Sequence, residues 1–133
     1  MGTRFLASAE LGIAETWKRR VVEADALDAV KVPNSDRVLP PYSRPGGRAE
    51  PRSLRTPLVE QLREHPEWVV PRAMGPRVRE AVRAGGGEQY LPFAGQSAAL
   101  IGEVLPAAEI VRRVVAEAEA ALAAAGTAVR VAP

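Results

Sequence analysis

The 133-residue chain contains no cysteine. Disulfides, thiolate nucleophiles and cysteine-based metal centres are therefore excluded. Its single histidine is His65, so a histidine-rich metal site is excluded too. Aromatic residues make up only 5%, which removes the stacking platforms that hold single-stranded nucleic acid. No apolar run approaches the roughly 18 residues that read as a membrane span. The opening Met1-Gly2-Thr3-Arg4-Phe5-Leu6 lacks the long apolar region of a secretory signal. The expectation is a soluble cytoplasmic protein with neither a nucleic-acid nor a membrane partner.

Hydrophobic residues amount to 47%, but many are alanine, as at Ala116, Ala118, Ala120, Ala121, Ala123, Ala124 and Ala125. Alanine favours helix and fills little core volume. A thin core for the length follows, together with an expectation of self-association. The formal net charge is +2, and the isoelectric point is about 9.5. Spread over the chain, that excess is too weak a field to argue for nucleic acid. Lys18 and Lys31 are the only lysines, and the arginine richness reads as GC-rich coding bias. Arg77, Arg79 and Arg83 are interrupted by Glu80 and read as a solvated helix face.

Three regions emerge. In residues 1–32, residues 3–6 are expected to end a short strand. Ser8 is a candidate N-cap for the helix that follows. Ile13, Trp17, Val21 and Ala24 form its apolar face, while Lys18, Arg19, Arg20 and Glu23 fall largely elsewhere and read as solvated. Ala29 to Val32 reads as a brief extended segment stopped by Pro33. Residues 33–57 hold six of the 12 prolines and the pair Gly46-Gly47, so neither helix nor sheet is expected to run through them. Residues 58–133 are expected to be mostly helical. Leu58, Val59 and Leu62 open one helix, which ends near His65-Pro66. Val78, Ala81 and Val82 mark another, stopped at Gly85-Gly86-Gly87. The last has Pro106 at its first position, a stripe of Ile110, Val111, Val114, Val115, Ala118, Ala121, Leu122 and Ala125, a Glu109–Arg113 pair, and Gly126 as its stop.

Two segments point further. Met1-Gly2-Thr3-Arg4-Phe5-Leu6-Ala7 resembles the Gly-Thr-Arg-Phe segment at the end of the eighth barrel strand in nitronate monooxygenases, formerly called 2-nitropropane dioxygenases. Tyr90-Leu91-Pro92-Phe93-Ala94-Gly95-Gln96-Ser97, then Leu100-Ile101-Gly102 and Pro106-Ala107-Ala108-Glu109-Ile110-Val111, resembles that family's last motif and C-terminal helix. Arg52-Ser53-Leu54-Arg55 between them also fits. The resemblance covers essentially the whole chain, and its ordered set of motifs is more specific than any one of them.

It implies a mostly helical chain that is the C-terminal part of a (β/α)8 barrel. A full barrel takes roughly 250 residues, so this length supplies only part of one. Met1 then corresponds to an internal methionine of the family pattern. The implied cofactor is non-covalent FMN, and the implied activity is oxidation of alkyl nitronates with molecular oxygen in the completed protein. The remaining barrel would come from elsewhere, as from a separate N-terminal portion. Related barrels reduce enoyl thioesters on acyl carrier protein, which is the first alternative. A small helical interaction module without catalysis is the second.

The resemblance places Gly2 and Thr3 at the flavin phosphate, where glycine permits close approach and the hydroxyl adds a donor. The plain alternative is an ordinary frayed chain end. It places Gly95 and Gln96 beside the isoalloxazine ring, against a loop that merely caps a helix beginning near Ser97. Phe93 and Tyr90 are assigned to the substrate pocket. The family often has a small or polar residue at the Phe93 position, and Tyr90 reads equally as an aromatic covering the core. No catalytic residue and no metal ligand is assigned to this chain. His65, beside Pro66 at a helix end, reads as a contact to the last carbonyls. The Pro-rich loop with Tyr42, Arg44 and Arg48 reads either as a lid or acyl-chain entrance, or as a wrap over outer helices.

Overall fold

The computed structural model describes residues 1–39 and 50–129. The Pro-rich centre, including Tyr42, Arg44 and Arg48, lies outside the described residues, so neither reading of that loop is decided. The chain is mostly helical with one small sheet. In order come α1 (Gly2–Leu6), α2 (Glu15–Glu23), β1 (Ala29–Lys31), β2 (Arg52–Leu54), α3 (Pro57–Glu64), α4 (Met74–Arg83) and α5 (Ala107–Val129), with short 3₁₀ turns at Ser35–Arg37 and Gln96–Leu100.

β1 and β2 pair antiparallel, with Ala29 opposite Leu54 and Val30 opposite Ser53. Alternation sends successive side chains to opposite faces, and the two cores follow from it. Ala29 and Leu54 join Ala7, Trp17, Val21, Ala94, Ala98 and Ile101 in one cluster. Val30 joins Val32, Val38, Leu58, Val59, Leu62, Val78 and Leu91 in the other. The segment around Phe93 adds a third, one-residue rung. Leu54 N donates to the Pro92 carbonyl at 3.0 Å, and Ala94 N donates to the Arg52 carbonyl at 3.2 Å. β2 was not expected, because Pro51 and Pro57 bracket it. Five residues separate the two prolines, and three of them, Arg52–Leu54, are enough for a rung on each side.

Helix ends follow local chemistry. The Thr56 hydroxyl accepts from Val59 N at 3.1 Å at the start of α3, and Pro57 occupies its first position. α4 ends with Gly85 at φ +76°. Gly86 N reaches the Ala81 carbonyl and Gly85 N the Val82 carbonyl, at 2.9 and 3.1 Å, which is a Schellman closure. The glycine stop expected there is present.

Four expectations are corrected. Residues 3–6 are helical in α1 rather than a strand end. Among the described residues no strand lies beside them, and a short helix satisfies its backbone groups internally. Ser8 does not cap α2. It is buried and bridges in parallel to Leu105, with Ala9 N on the Leu105 carbonyl at 2.9 Å and Leu105 N on the Ala7 carbonyl at 3.1 Å, so the chain stays non-helical until Glu15. Lys18 is buried at 2% exposure rather than solvated. Its ammonium reaches the Ala9 carbonyl at 3.1 Å and the Glu15 carboxylate at 2.8 Å. Gly126 does not stop α5, which runs to Val129. A Cβ at Gly126 would meet no neighbour within 4 Å among the described residues, so a glycine within the helix interior is merely less favourable there.

α5 starts at Ala107, one residue past Pro106, whose carbonyl accepts from Glu109 N and Ile110 N at 2.9 and 3.1 Å. The Glu10 carboxylate accepts from Ala107 N at 2.8 Å, capping the helix from far along the chain. The Glu109–Arg113 pair forms at 2.8 Å. Ile110 is buried, while Val111 and Val115 are each 50% exposed and Leu122 is 74% exposed. No described helix is long and apolar enough to cross a membrane.

Candidate functional site

The two motifs that lie farthest apart in the chain meet. α1 carries Gly2 and Thr3, and the Thr3 hydroxyl oxygen accepts a hydrogen bond from Gly95 N at 2.9 Å. Gly95 sits at φ −85°, open to any residue, so its glycine is explained by space rather than by conformation. A Cβ there would lie 3.1 Å from the Thr3 hydroxyl oxygen. The Thr3 oxygen thus accepts from the Gly95 N–H and keeps its own hydroxyl hydrogen for another acceptor.

Beside this contact opens a cavity of about 690 Å³, lined by Gly2, Thr3, Leu6, Pro51, Arg52, Val82, Phe93, Ala94 and Gly95. Four of the six residues assigned from the sequence, Gly2, Thr3, Phe93 and Gly95, are brought together on its wall. The other two are not. Gln96 is exposed at the start of the 3₁₀ turn, and Tyr90 packs, partly buried, against the larger core cluster. Leu6, Pro51, Arg52, Val82 and Ala94 also line it and were not among the residues assigned from the sequence. Arg52 stood inside a segment already quoted for its resemblance, and its place on a strand beside Phe93 was the missing piece. His65 lies elsewhere, its ring nitrogen 3.1 Å from the Glu67 carboxylate.

The wall is held from behind. The Thr56 hydroxyl donates to the Tyr90 carbonyl at 2.6 Å. The Arg20 guanidinium donates to the Glu88 carbonyl and, at 2.6 Å, to the Arg55 carbonyl. The Thr16 hydroxyl donates to the Glu88 carboxylate at 2.8 Å. That hydroxyl is the largest reason the Glu88 carboxyl titrates below the usual carboxylate range, with the nearby backbone amides next. α2 is thereby tied to the segment leading into Phe93.

In size and lining the cavity suits a flat, largely apolar ring, since such sites are typically 300–1,000 Å³ with a few placed polar groups. A phosphate needs several converging donors. Here the Thr3 hydroxyl and the Arg52 guanidinium are the side-chain donors among the described residues of the lining, short of a complete cradle. The residues present fit the ring portion of a flavin better than its phosphate.

No protein-family description matches the chain, and no curated protein matches it. Solved structures do. The fold is similar to part of FabK from Thermotoga maritima. A methionine-to-alanine mutant of that protein is 28% identical, with a TM-score of 0.66, and the match covers 96% of this chain and 35% of the mutant's. The FabK structure without that change is 26% identical at the same TM-score of 0.66, covering 96% of this chain and 38% of its own. The chain therefore spans little more than a third of the solved chains it resembles. The expected class, mostly helical and corresponding to a portion of a (β/α)8 barrel, holds.

Proposed function

We propose that this chain forms one wall of the active-site cavity in a flavin-dependent oxidoreductase of the enoyl-thioester reductase type. The observation that carries the reading is the junction of Thr3 with Gly95 on the rim of a single cavity. The likeness to FabK, the FMN-dependent enoyl reductase branch of the superfamily reached from the sequence, supports it. Bound flavin supplies the two-electron redox chemistry. The residues of this chain would orient and enclose it: Phe93 and Ala94 would face the ring, Thr3 would offer a hydroxyl donor, and Leu6 and Val82 would exclude water.

Nitronate oxidation is the second reading, and one observation favours it. Arg52 is the only ionisable side chain among the described residues of the lining, and a nitronate is an anion whereas an enoyl thioester is neutral. A separately expressed N-terminal barrel portion, mixed with this chain and FMN, separates the two. Anaerobic bleaching of the flavin by an alkyl nitronate supports nitronate oxidation. Reoxidation of chemically reduced flavin by an enoyl thioester supports the reductase. Failure of the mixture to retain flavin overturns both.

A further inference from the structure

We infer that Arg20 is a positioning residue for this cavity: its guanidinium replaces a missing backbone donor at the end of the pairing between β2 and the Phe93 segment, and so fixes where the Phe93 wall stands. The inference rests on the proposed function in taking the cavity as the flavin's. It adds a residue outside the lining that holds the lining in place.

A proline creates the need. Ser53 bridges Phe93 through two bonds, Leu54 N to the Pro92 carbonyl at 3.0 Å and Ala94 N to the Arg52 carbonyl at 3.2 Å. Antiparallel partners exchange a bond in each direction. The return bond from residue 92 to Leu54 cannot form, because proline has no N–H. The Leu54 carbonyl accepts from the Ser53 hydroxyl instead, at 3.2 Å. The pairing therefore stops at one rung, on the side that leads to Arg55. Arg20 stands across that end. One terminal nitrogen donates to the Glu88 carbonyl, on the segment leading into Phe93, and the other to the Arg55 carbonyl, just past β2, at 2.6 Å. A planar guanidinium sets the spacing of two acceptors, which an ammonium on a flexible stem does not.

The guanidinium is itself held. On α2, Trp17 and Val21 are buried in the cluster that contains Leu54 and Ala94. The Thr16 hydroxyl, from the same helix, reaches the Glu88 carboxylate at 2.8 Å. Arg20 is not among the residues that line the cavity, so its effect there passes through the two carbonyls it holds.

Phe5 and Phe93 are the chain's two phenylalanines, and of the two Phe93 alone lines the cavity. Fluorophenylalanine labelling of the full chain thus gives two fluorine NMR lines, one at the wall and one as a control. Arg20→Gln is expected to shift or broaden the Phe93 line and to leave that of Phe5 in place, with a smaller effect from Arg20→Lys, which keeps the charge and loses the fork. The amides of Leu54 and Ala94 are expected to exchange with deuterium about tenfold faster in Arg20→Gln, the effect of losing one hydrogen bond, while Gly86 keeps its rate. A Phe93 line that stays put in Arg20→Gln, or moves no more than that of Phe5, overturns the inference. If Arg20→Gln does not fold, Arg20→Lys is read by the same criterion. In the parent chain, Leu54 and Ala94 amides that exchange as fast as those of an unfolded peptide overturn it as well. Flavin retention in the mixture with the N-terminal barrel portion is scored separately, so its failure overturns the flavoenzyme reading and leaves the fluorine result standing.

Discussion

Thr3 and Gly95 are separated by 92 positions, and neither gives sign of the other in a sequence. What sequence reading supplied was a pair of motifs assigned to one ligand. The structure supplies the hydrogen bond between them. A double-mutant cycle measures that coupling. Thr3→Val removes the acceptor, and Gly95→Ala pushes a methyl to 3.1 Å from the same oxygen. Each is expected to lower unfolding free energy by about 1 kcal/mol, and the double variant to lose clearly less than the sum. Strict additivity in urea unfolding shows the two do not depend on each other. Gln96→Ala, on an exposed residue, is expected to stay within about 0.5 kcal/mol. Glu88 offers a pH test. Its folded-state pKa is depressed, chiefly by the Thr16 hydroxyl, so its contribution is present above the unfolded-state pKa and is lost as pH falls through the folded one. Glu88→Gln should therefore lower the melting temperature at pH 7, and the gap to the parent protein should close in acid. A gap that persists undiminished at pH 2 means that packing, not ionisation, sets the effect.

Among the elements, those stopped or started by their own residues were legible. α4 ends at Gly85 as its glycines announce, because capping chemistry is local, and α3 shows in the spacing of Leu58, Val59 and Leu62, although its Thr56-Pro57 start falls in what reads as the Pro-rich loop. The apolar spacing of α2 and α5 also showed, though both boundaries moved. α1 was read as a strand and β2 went unread because strand formation is decided by a partner elsewhere in the chain. Among the described residues, 3–6 have no strand partner, and Arg52–Leu54 has two. The α4 stop makes a sharp prediction. Gly85 combines φ +76° with a Cβ position that collides with the Gly12 carbonyl, whereas the nearest atoms to a Cβ at Gly86 are 3.6 Å or more away and its φ is unremarkable. Gly85→Ala is expected to cost about 2 kcal/mol or more, and Gly86→Ala well under 1 kcal/mol. Chemical denaturation of the two variants side by side checks it, and equal losses contradict the Schellman assignment.

At the scale of the whole molecule, the thin core expected from an alanine-rich composition has a structural counterpart in α5. Its first turn is anchored by buried Ile110 and by the Glu10 cap on Ala107 N. Beyond that turn the helix runs on with its described residues largely exposed. Val111, Val115 and Leu122 are spaced by four and seven residues, so they share one face, and Ala118 lies between them on it. A solvent-exposed helix this long gains little from propensity alone, and an apolar face of this extent tends to find a partner. The same flank of that face carries Arg112 toward one end and Glu119 toward the other. In an antiparallel pair of α5 helices each Arg112 comes beside the other copy's Glu119, whereas in a parallel pair the two copies of that flank lie on opposite edges of the seam and no such pair forms. The chain alone is therefore expected to self-associate at micromolar concentration through antiparallel α5 helices. Leu122→Glu puts a charge at the most exposed residue of the face without touching the body of the fold, and it should return the protein to a monomer with its melting temperature little changed at low concentration. Light scattering after size exclusion reads both. A parent chain that runs as a sharp monomer at tens of micromolar, or a Leu122→Glu variant that associates as the parent does, rules out α5 as the contact.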